Sequence, residues 1–255
     1  MFDWGAFTLF LYILMRMSGF ILFNPIFGRN GIPAMFQAGL IAILSLTVFY
    51  AYGGSAPVPD SLFAFAFLLL MELGVGLAVS IVVRFFFYIA AQAGEIVDSQ
   101  MGLSMAKTYD PSTGSQETVT ANILNTLMLL LFFAENGHIT LLRLMLTSGE
   151  IVPFGTAVLG MGAADNVLQM FTECALLALK IGLPILAAEL MGQVGMGILM
   201  KVIPQINVFT INIDLKIIIG LLMLLLLISP MSEVLLEAES DMLSAVRRVV
   251  AMSGG

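Results

Sequence analysis

Long apolar stretches separated by short breaks rich in glycine, proline and polar residues run through most of the chain. A helix crossing the hydrocarbon core of a bilayer needs about 20 mainly apolar residues, and six stretches approach that standard. The first runs from about Phe7 to Phe27 and carries Arg16; the second, Ala34 to Tyr52, has no charge. The third, about Leu62 to Ala91, is too long for one straight crossing and holds Glu72 and Arg84. The fourth, about Ala121 to Ala134, is short. The fifth, about Val167 to Met200, contains Glu173, Lys180, Pro184 and Glu189, and the sixth runs from about Ile213 to Ile228 behind Asp214 and Lys216. Pro25, Gly28, Gly31 and Pro33 bracket the first break, and 53–59 forms the second. Gln92 to Thr120 is the longest polar interval and reads as a helix end, a proline turn and a helix restart; Pro204 to Asn212 separates the last two segments. From Met231 onward, Val234, Leu235, Ala238, Met242, Ala245, Val246 and Val249 recur at helical spacing against Glu233, Glu237, Asp241 and Arg248, which predicts an amphipathic tail. No alternating pattern competes, so the expected fold is all-α: a multi-helix, membrane-associated protein.

Composition sharpens this picture. Of 255 residues 60% are apolar and 11% charged, with a mean hydropathy of +1.04. Soluble domains carry roughly a quarter charged residues, so the excess apolar surface has to face lipid or other protein. The net charge of −7 lacks the basic footprint that nucleic-acid binding requires. Met1-Phe2-Asp3-Trp4 lacks the basic start of a cleavable signal peptide, and the first apolar segment is expected to stay in the protein. Arg29, Lys107, Lys201 and Lys216 fall in alternate loops, against Arg143, Arg247 and Arg248 elsewhere; this slight asymmetry places the N-terminus outside.

Candidate chemistry is sparse. Cys174 and His138 are the single cysteine and histidine, which removes paired-ligand metal motifs and most nucleophile–base arrangements. No enzyme and no cofactor is expected. Arg16, Glu72, Arg84, Glu173, Lys180 and Glu189 each cost roughly 2.5–3.5 kcal/mol if left in lipid, so each must pair, snorkel or face water. Glu173 and Lys180 share a helical face but lie about two turns apart, a spacing that favours partners on neighbouring helices or subunits over a mutual pair. Gly74 with Ala78, Ala90 with Gly94, and Ala188 with Gly192 are small residues four apart, extended by Gly195 and Gly197, as close helix packing requires. The 18 methionines suit adaptable packing and decide nothing alone.

Several motifs, in order, carry a resemblance: Arg16-Met17-Ser18-Gly19-Phe20, Asn24-Pro25-Ile26-Phe27-Gly28, Ile32-Pro33, Glu72-Leu73-Gly74-Val75-Gly76-Leu77, Gln92 through Asp98 to Met101-Gly102-Leu103-Ser104 and Asp110-Pro111, Asn136-Gly137-His138 with Leu142-Arg143, and Pro204-Gln205-Ile206-Asn207-Val208-Phe209 with Lys216. Across nearly its whole length the chain resembles the FliR/SctT family of type III export-gate proteins. The resemblance implies a structural, channel-forming subunit in the bacterial inner membrane, at the flagellar basal body. It would assemble with FliP and FliQ, work beside FlhA and FlhB, and pass unfolded flagellar proteins. It also implies a FliP-like helical part over 1–165, a FliQ-like helical hairpin over 166–230, and the tail over 231–255. Within the first part, 105–119 matches the family's plug loop, with Met105, Lys107, Thr108, Tyr109, Asp110 and Pro111 as candidate gating residues. Gln205, Asn207, Phe209 and Lys216 match the FliQ-like turn, and the six charges named above become candidates for assembly contacts. The virulence-secretion subunit SctT is the nearest alternative. A small-solute transporter would need an inverted repeat, and an intramembrane enzyme would need paired catalytic residues at one depth.

Overall fold

The computed structural model describes residues 3–29, 31–59, 61–105, 107–110, 115–158, 160–202 and 208–254. The helices are α1 (Trp4–Phe23), α2 (Ala34–Tyr52), α3 (Leu62–Met101), α4 (Val119–Ala134), α5 (Gly137–Leu146), α6 (Ser148–Ile151), α7 (Met161–Val202) and α8 (Val208–Met252). Five described helices are long and apolar enough to cross a membrane. α3, α7 and α8 hold 40, 42 and 45 residues; at 1.5 Å per residue each is about 60 Å or more, roughly twice the hydrocarbon thickness.

Three expectations need correction. The polar interval holds the expected helix end and helix restart, but a strand ribbon stands where a turn alone was expected. α3 runs ten residues past Ala91 to Met101, and beyond a short 3-10 turn a two-stranded ribbon follows, β1 (Thr108–Asp110) and β2 (Ser115–Glu117), with Thr108 opposite Glu117 and Asp110 opposite Ser115. Ala93, Val97 and Met101 continue a buried stripe through the polar interval, which explains the longer α3. The sixth segment and the tail are one helix, which continues through Pro230; a proline inside a long apolar helix is tolerated where neighbouring groups re-satisfy the backbone. That helix also begins at Val208, earlier than Ile213.

Packing divides the chain into two compact units, with boundaries inside α3, α7 and α8. Unit 1 comprises 1–85, 136–171 and 240–255; unit 2 comprises 86–135 and 172–239. This partition by packing differs in kind from the expected division into 1–165, 166–230 and 231–255, which follows from a family resemblance.

In unit 1, α1 begins at Asp3, whose Oδ1 accepts the amides of Gly5 and Ala6 at 3.0 and 3.2 Å. It ends at Asn24, whose Oδ1 accepts those of Ile26 and Phe27 at 2.9 and 3.3 Å and turns the chain. Leu9, Ile13, Met17 and Phe20 form the buried stripe of α1, and Val75, Val79, Val82 and Val83 that of α3. The two helices touch backbone to backbone: a Cβ on Gly19 would collide with the Leu73 carbonyl, and one on Gly76 with the Arg16 carbonyl and the Phe20 amide. Ser80 Oγ closes this seam by donating to the Phe20 carbonyl at 2.8 Å. The end of α8 packs in the same unit through Met242, Ala245, Val246 and Val249, and the Val158 amide donates to the Ser253 carbonyl at 2.9 Å.

In unit 2 two stripes face each other at helical spacing, Ala90, Ala93, Val97 and Met101 of α3 and Ala121, Leu124, Met128 and Phe132 of α4. A Cβ on Gly94 would collide with the Ala121 backbone. On α7 the buried stripe is Cys174, Ala178, Ile181, Ile185 and then Glu189. Gly192 meets the Ile219 side chain of α8, whereas Gly195 and Gly197 face open space.

The seam between α1 and α3 gives a direct check. Gly76→Val should lower the thermal midpoint of the detergent-solubilised chain by the equivalent of about 1–3 kcal/mol or more, the usual cost of overpacking. Gly195→Val, in open space, should leave it within experimental error.

Candidate functional site

Two groups of polar side chains stand out from the apolar helices, one in each unit. In unit 1, Arg16 and Glu72 are both 0% exposed and pair at 2.6 Å through Nε and Oε2. The glycine seam puts α1 and α3 close enough for these side chains to meet. Arg16 Nη1 also donates to Ser148 Oγ at 3.2 Å and to the Val152 carbonyl at 3.0 Å. Glu72 Oε1 accepts the Gly155 amide at 2.7 Å. The guanidinium carbon lies 4.3 Å from the centre of the Phe154 ring, a cation–π contact within the usual reach. Gly155 holds φ +86°, and a Cβ there would strike the Tyr12 ring, so glycine is required at this corner. The pair therefore does more than neutralise itself: it ties residues 148–155 to the α1–α3 seam. The sequence left interhelical and intersubunit partners open for these two charges, and within the chain they find each other.

In unit 2 the polar group lies at the base of the ribbon. Asp98, 0% exposed, accepts the Thr120 amide at 2.7 Å through Oδ2 and the Thr120 hydroxyl at 2.6 Å through Oδ1. α4 has no side-chain cap of its own at Thr118, so a carboxylate on another helix caps it and meets the positive end of its dipole. Lys107 Nζ reaches Glu95 Oε1 at 3.6 Å, with both side chains about two-fifths exposed, and Asn125 Nδ2 lies 3.4 Å from Glu117 Oε1. Thr108, Tyr109 and Asp110 have their backbone in β1, while their side chains, the Met105 side chain and Pro111 lie outside the described residues.

The remaining candidates scatter. Arg84 is exposed and donates to the Phe23 carbonyl at 3.0 Å, at the C-terminal end of α1. Glu173 and Lys180 are exposed on α7. Glu189 is 0% exposed and sits against Gly220 of α8, with the Gly220 backbone and the Lys216 charge both acting on its carboxylate. Lys216 is half-buried on α8. Gln205 and Asn207 lie outside the described residues, as does the Phe209 side chain.

Sequence reasoning passed over Asp98, which stands in a polar interval, and it missed Ser148, Phe154 and Gly155. Asp98 bonds a backbone amide 22 residues away, and no local spacing announces such a cap. Chemically, these groups hold segments together: their hydrogen-bonding capacity is turned inward. Among the described residues no group of three or more His, Cys, Asp or Glu comes together as metal ligands.

Comparison with known proteins places the chain. The family model described as bacterial export proteins, family 1, matches residues 7–242. The chain is 27% identical to the flagellar biosynthetic protein FliR of Bacillus subtilis (strain 168), over 97% of its own length and 96% of that protein. It is 29% identical to FliR of Escherichia coli (strain K12), over 94% and 92%. To the Yop proteins translocation protein T of Yersinia pestis it is 24% identical, over 84% and 83%.

The buried pair can be tested by comparing single and double substitutions. Arg16→Met alone strands the Glu72 carboxylate and should cost about 3–5 kcal/mol, as breaking one side of a buried ion pair does. Adding Glu72→Met should recover a good part of that loss in the thermal midpoint. Equal midpoints for the single and double variants would show that the pair is not coupled.

Proposed function

The chain belongs to bacterial export protein family 1, and from that premise we propose that it is the FliR-type subunit of a flagellar type III export gate. The observation that carries this reading is the collinear match along residues 7–242, together with full-length correspondence to flagellar relatives. The subunit assembles with FliP and FliQ in the inner membrane at the basal body, next to FlhA and FlhB, and helps form the conduit for unfolded flagellar proteins. Its lining needs compliance and no dedicated pocket, because many different chains pass.

In this reading 1–165 is the FliP-like part and 166–230 the FliQ-like hairpin, built from α7 and the first half of α8, with the turn around Gln205, Asn207 and Phe209 and Lys216 just inside it. The tail, 231–255, finishes α8. The 105–119 segment is the plug that closes the conduit at rest, with Met105, Lys107, Thr108, Tyr109, Asp110 and Pro111 in it. Support comes from its position, a polar ribbon joining two apolar helices whose ends are firmly packed together. The exposed charges Glu173 and Lys180 on α7 serve assembly, because a charge on an apolar helix needs protein or water beside it. The translocation protein of Yersinia pestis keeps a virulence-secretion role as the second reading.

Deleting Lys107–Ser115 should leave the complex with FliP and FliQ intact on a native gel and make the inner membrane leak small ions; unchanged conductance with a normal complex would refute the plug assignment. Lys180→Glu should reduce recovery of FliP or FliQ with the tagged chain, and full recovery of both would count against an assembly role. Restored swimming of a FliR-deficient flagellated host would separate the flagellar from the virulence reading.

A further inference from the structure

We propose that α1, α2 and residues 62–84 of α3 form a lipid-facing slab, and that Arg84 at its edge binds the phosphate of an anionic phospholipid. Neither the plug nor the choice of secretion system enters into it.

Contacts within unit 1 set the three segments level. Arg16 meets Glu72, Phe20 meets Ser80 and Phe23 meets Arg84, so α3 runs parallel to α1 and in step with it. α2 runs the opposite way, with the Phe10 and Phe49 rings 5.8 Å apart and the Ala56 amide donating to the Gly5 carbonyl at 3.1 Å. One edge therefore holds Trp4, Tyr52 and Phe63, and the other holds Phe23, Met35 and Arg84. At 1.5 Å per residue the edges are separated by about 28 Å on α1, about 25 Å on α2 and about 31 Å on α3, against a hydrocarbon core of about 30 Å.

What these segments expose suits lipid. Over 4–59 and 61–83 the charged residues are Arg16, Arg29 and Glu72; Arg16 and Glu72 are buried in their pair, and Arg29 lies past the end of α1. The outer face of α2 carries Phe36, Ile43, Leu46 and Tyr50, which are 61, 63, 45 and 79% exposed. Thr47, exposed on the same face, donates its hydroxyl to the Ile43 carbonyl at 2.8 Å and so needs no water. Trp4 and Tyr52, exposed at one edge, have the amphipathic rings that settle at a membrane–water interface. α7 differs, since its exposed Lys180 interrupts the apolar surface.

At the opposite edge Arg84 is exposed, and its Nη2 donates to the Phe23 carbonyl at 3.0 Å. A guanidinium has five N–H donors, so the carbonyl fixes its plane and leaves others for the paired oxygens of a phosphate. Leu22 and Phe23, exposed beside it, offer apolar surface to the acyl chains. Arg29 joins Arg84 at this edge, and no Asp or Glu stands in 4–59 or 73–94. The edge is thus cationic, which selects an anionic lipid and, by the positive-inside rule, the cytoplasmic leaflet.

The tagged full chain, purified in mild detergent with the subunits that stay bound to it, is placed in nanodiscs. A fluorophore on Ile43→Cys, in a Cys174→Ala background, should be strongly quenched by phosphatidylcholine brominated in mid-chain, and one on Tyr50→Cys, nearer the edge, less so. An unquenched Ile43 site would mean that protein covers this face and would overturn the slab. Native mass spectra should show phosphatidylglycerol retained in preference to phosphatidylcholine, and the thermal midpoint should be higher in phosphatidylglycerol. Arg84→Gln should weaken the preference on the order of tenfold, as loss of a charge-assisted hydrogen bond does, and abolish the difference in midpoint. Arg84→Lys should keep most of both. An arginine with a merely structural role would lower the midpoint equally in the two lipids and leave the preference unchanged, and that result would overturn the phosphate site. Should Arg84→Gln fail to fold, the wild-type chain and Arg84→Lys decide: absence of the phosphatidylglycerol preference in either would overturn it.

Discussion

The approach of α1 to α3 across Gly19 and Gly76 is the constraint on which the rest of unit 1 depends. Without two missing side chains the backbones could not touch, and Arg16 and Glu72 could not meet at 2.6 Å. Away from water an isolated charge is costly and a well-bonded pair is tolerable, so the helix spacing and the ion pair require each other. The consequence reaches further than two helices. Ser148, Val152 and Gly155 spend their polar groups on the same pair, and the segment between α6 and α7 takes its course from that seam. A change in helix spacing would therefore be felt as a displaced loop some 80 residues away in sequence, where Gly155 meets Glu72.

Unit 2 uses the same device for another purpose. Gly94 again permits a backbone contact, and a buried carboxylate again binds next to it. Among the described residues no cation pairs with this carboxylate. Its partners are an amide and a hydroxyl at the start of α4, where the helix dipole supplies the positive field. A helix end is a fixed feature of the chain, whereas a cation on a long side chain can move. That difference suits a place where one polar segment must be held at its base between two apolar helices.

The helices were legible in the sequence because long apolar runs and proline–glycine breaks report directly on solvent preference; α2 matches its expected bounds residue for residue. The long apolar helices α3 and α7 were legible for the same reason, though α3 ends ten residues later and α7 begins six residues earlier than the apolar runs suggest. The continuation of α8 through Pro230 was not, since a proline reads locally as a stop while neighbouring structure decides the outcome. The ribbon also escaped notice: three-residue strands carry too few positions for a period to show. Of the charged residues, Arg16 and Glu72 were singled out by hydropathy alone, as charges inside apolar runs always are. Asp98 was passed over because it stands in a polar interval, where a carboxylate looks ordinary. The sequence shows that a charge needs a partner, and only the folded chain shows which backbone amide or loop supplies it.

The charges on α7 sort by the same logic. Glu189 continues the buried stripe of that helix, while Lys180 faces outward near its middle. Lys180 lies about 28 Å or more from either end of α7 at 1.5 Å per residue, far beyond the reach of a lysine stem. A bilayer edge placed at Lys180 would solve its hydration, yet exposed apolar residues continue on both sides, Leu168, Phe171 and Leu176 before it and Leu183, Leu190 and Val194 after it. One half of an oily helix would then stand in water. Covering both halves while hydrating or pairing the ammonium requires a surface that is apolar along its length and polar at one point. Neither lipid nor water has that pattern, and another protein helix does, which is the physical reason for reading this chain as a subunit.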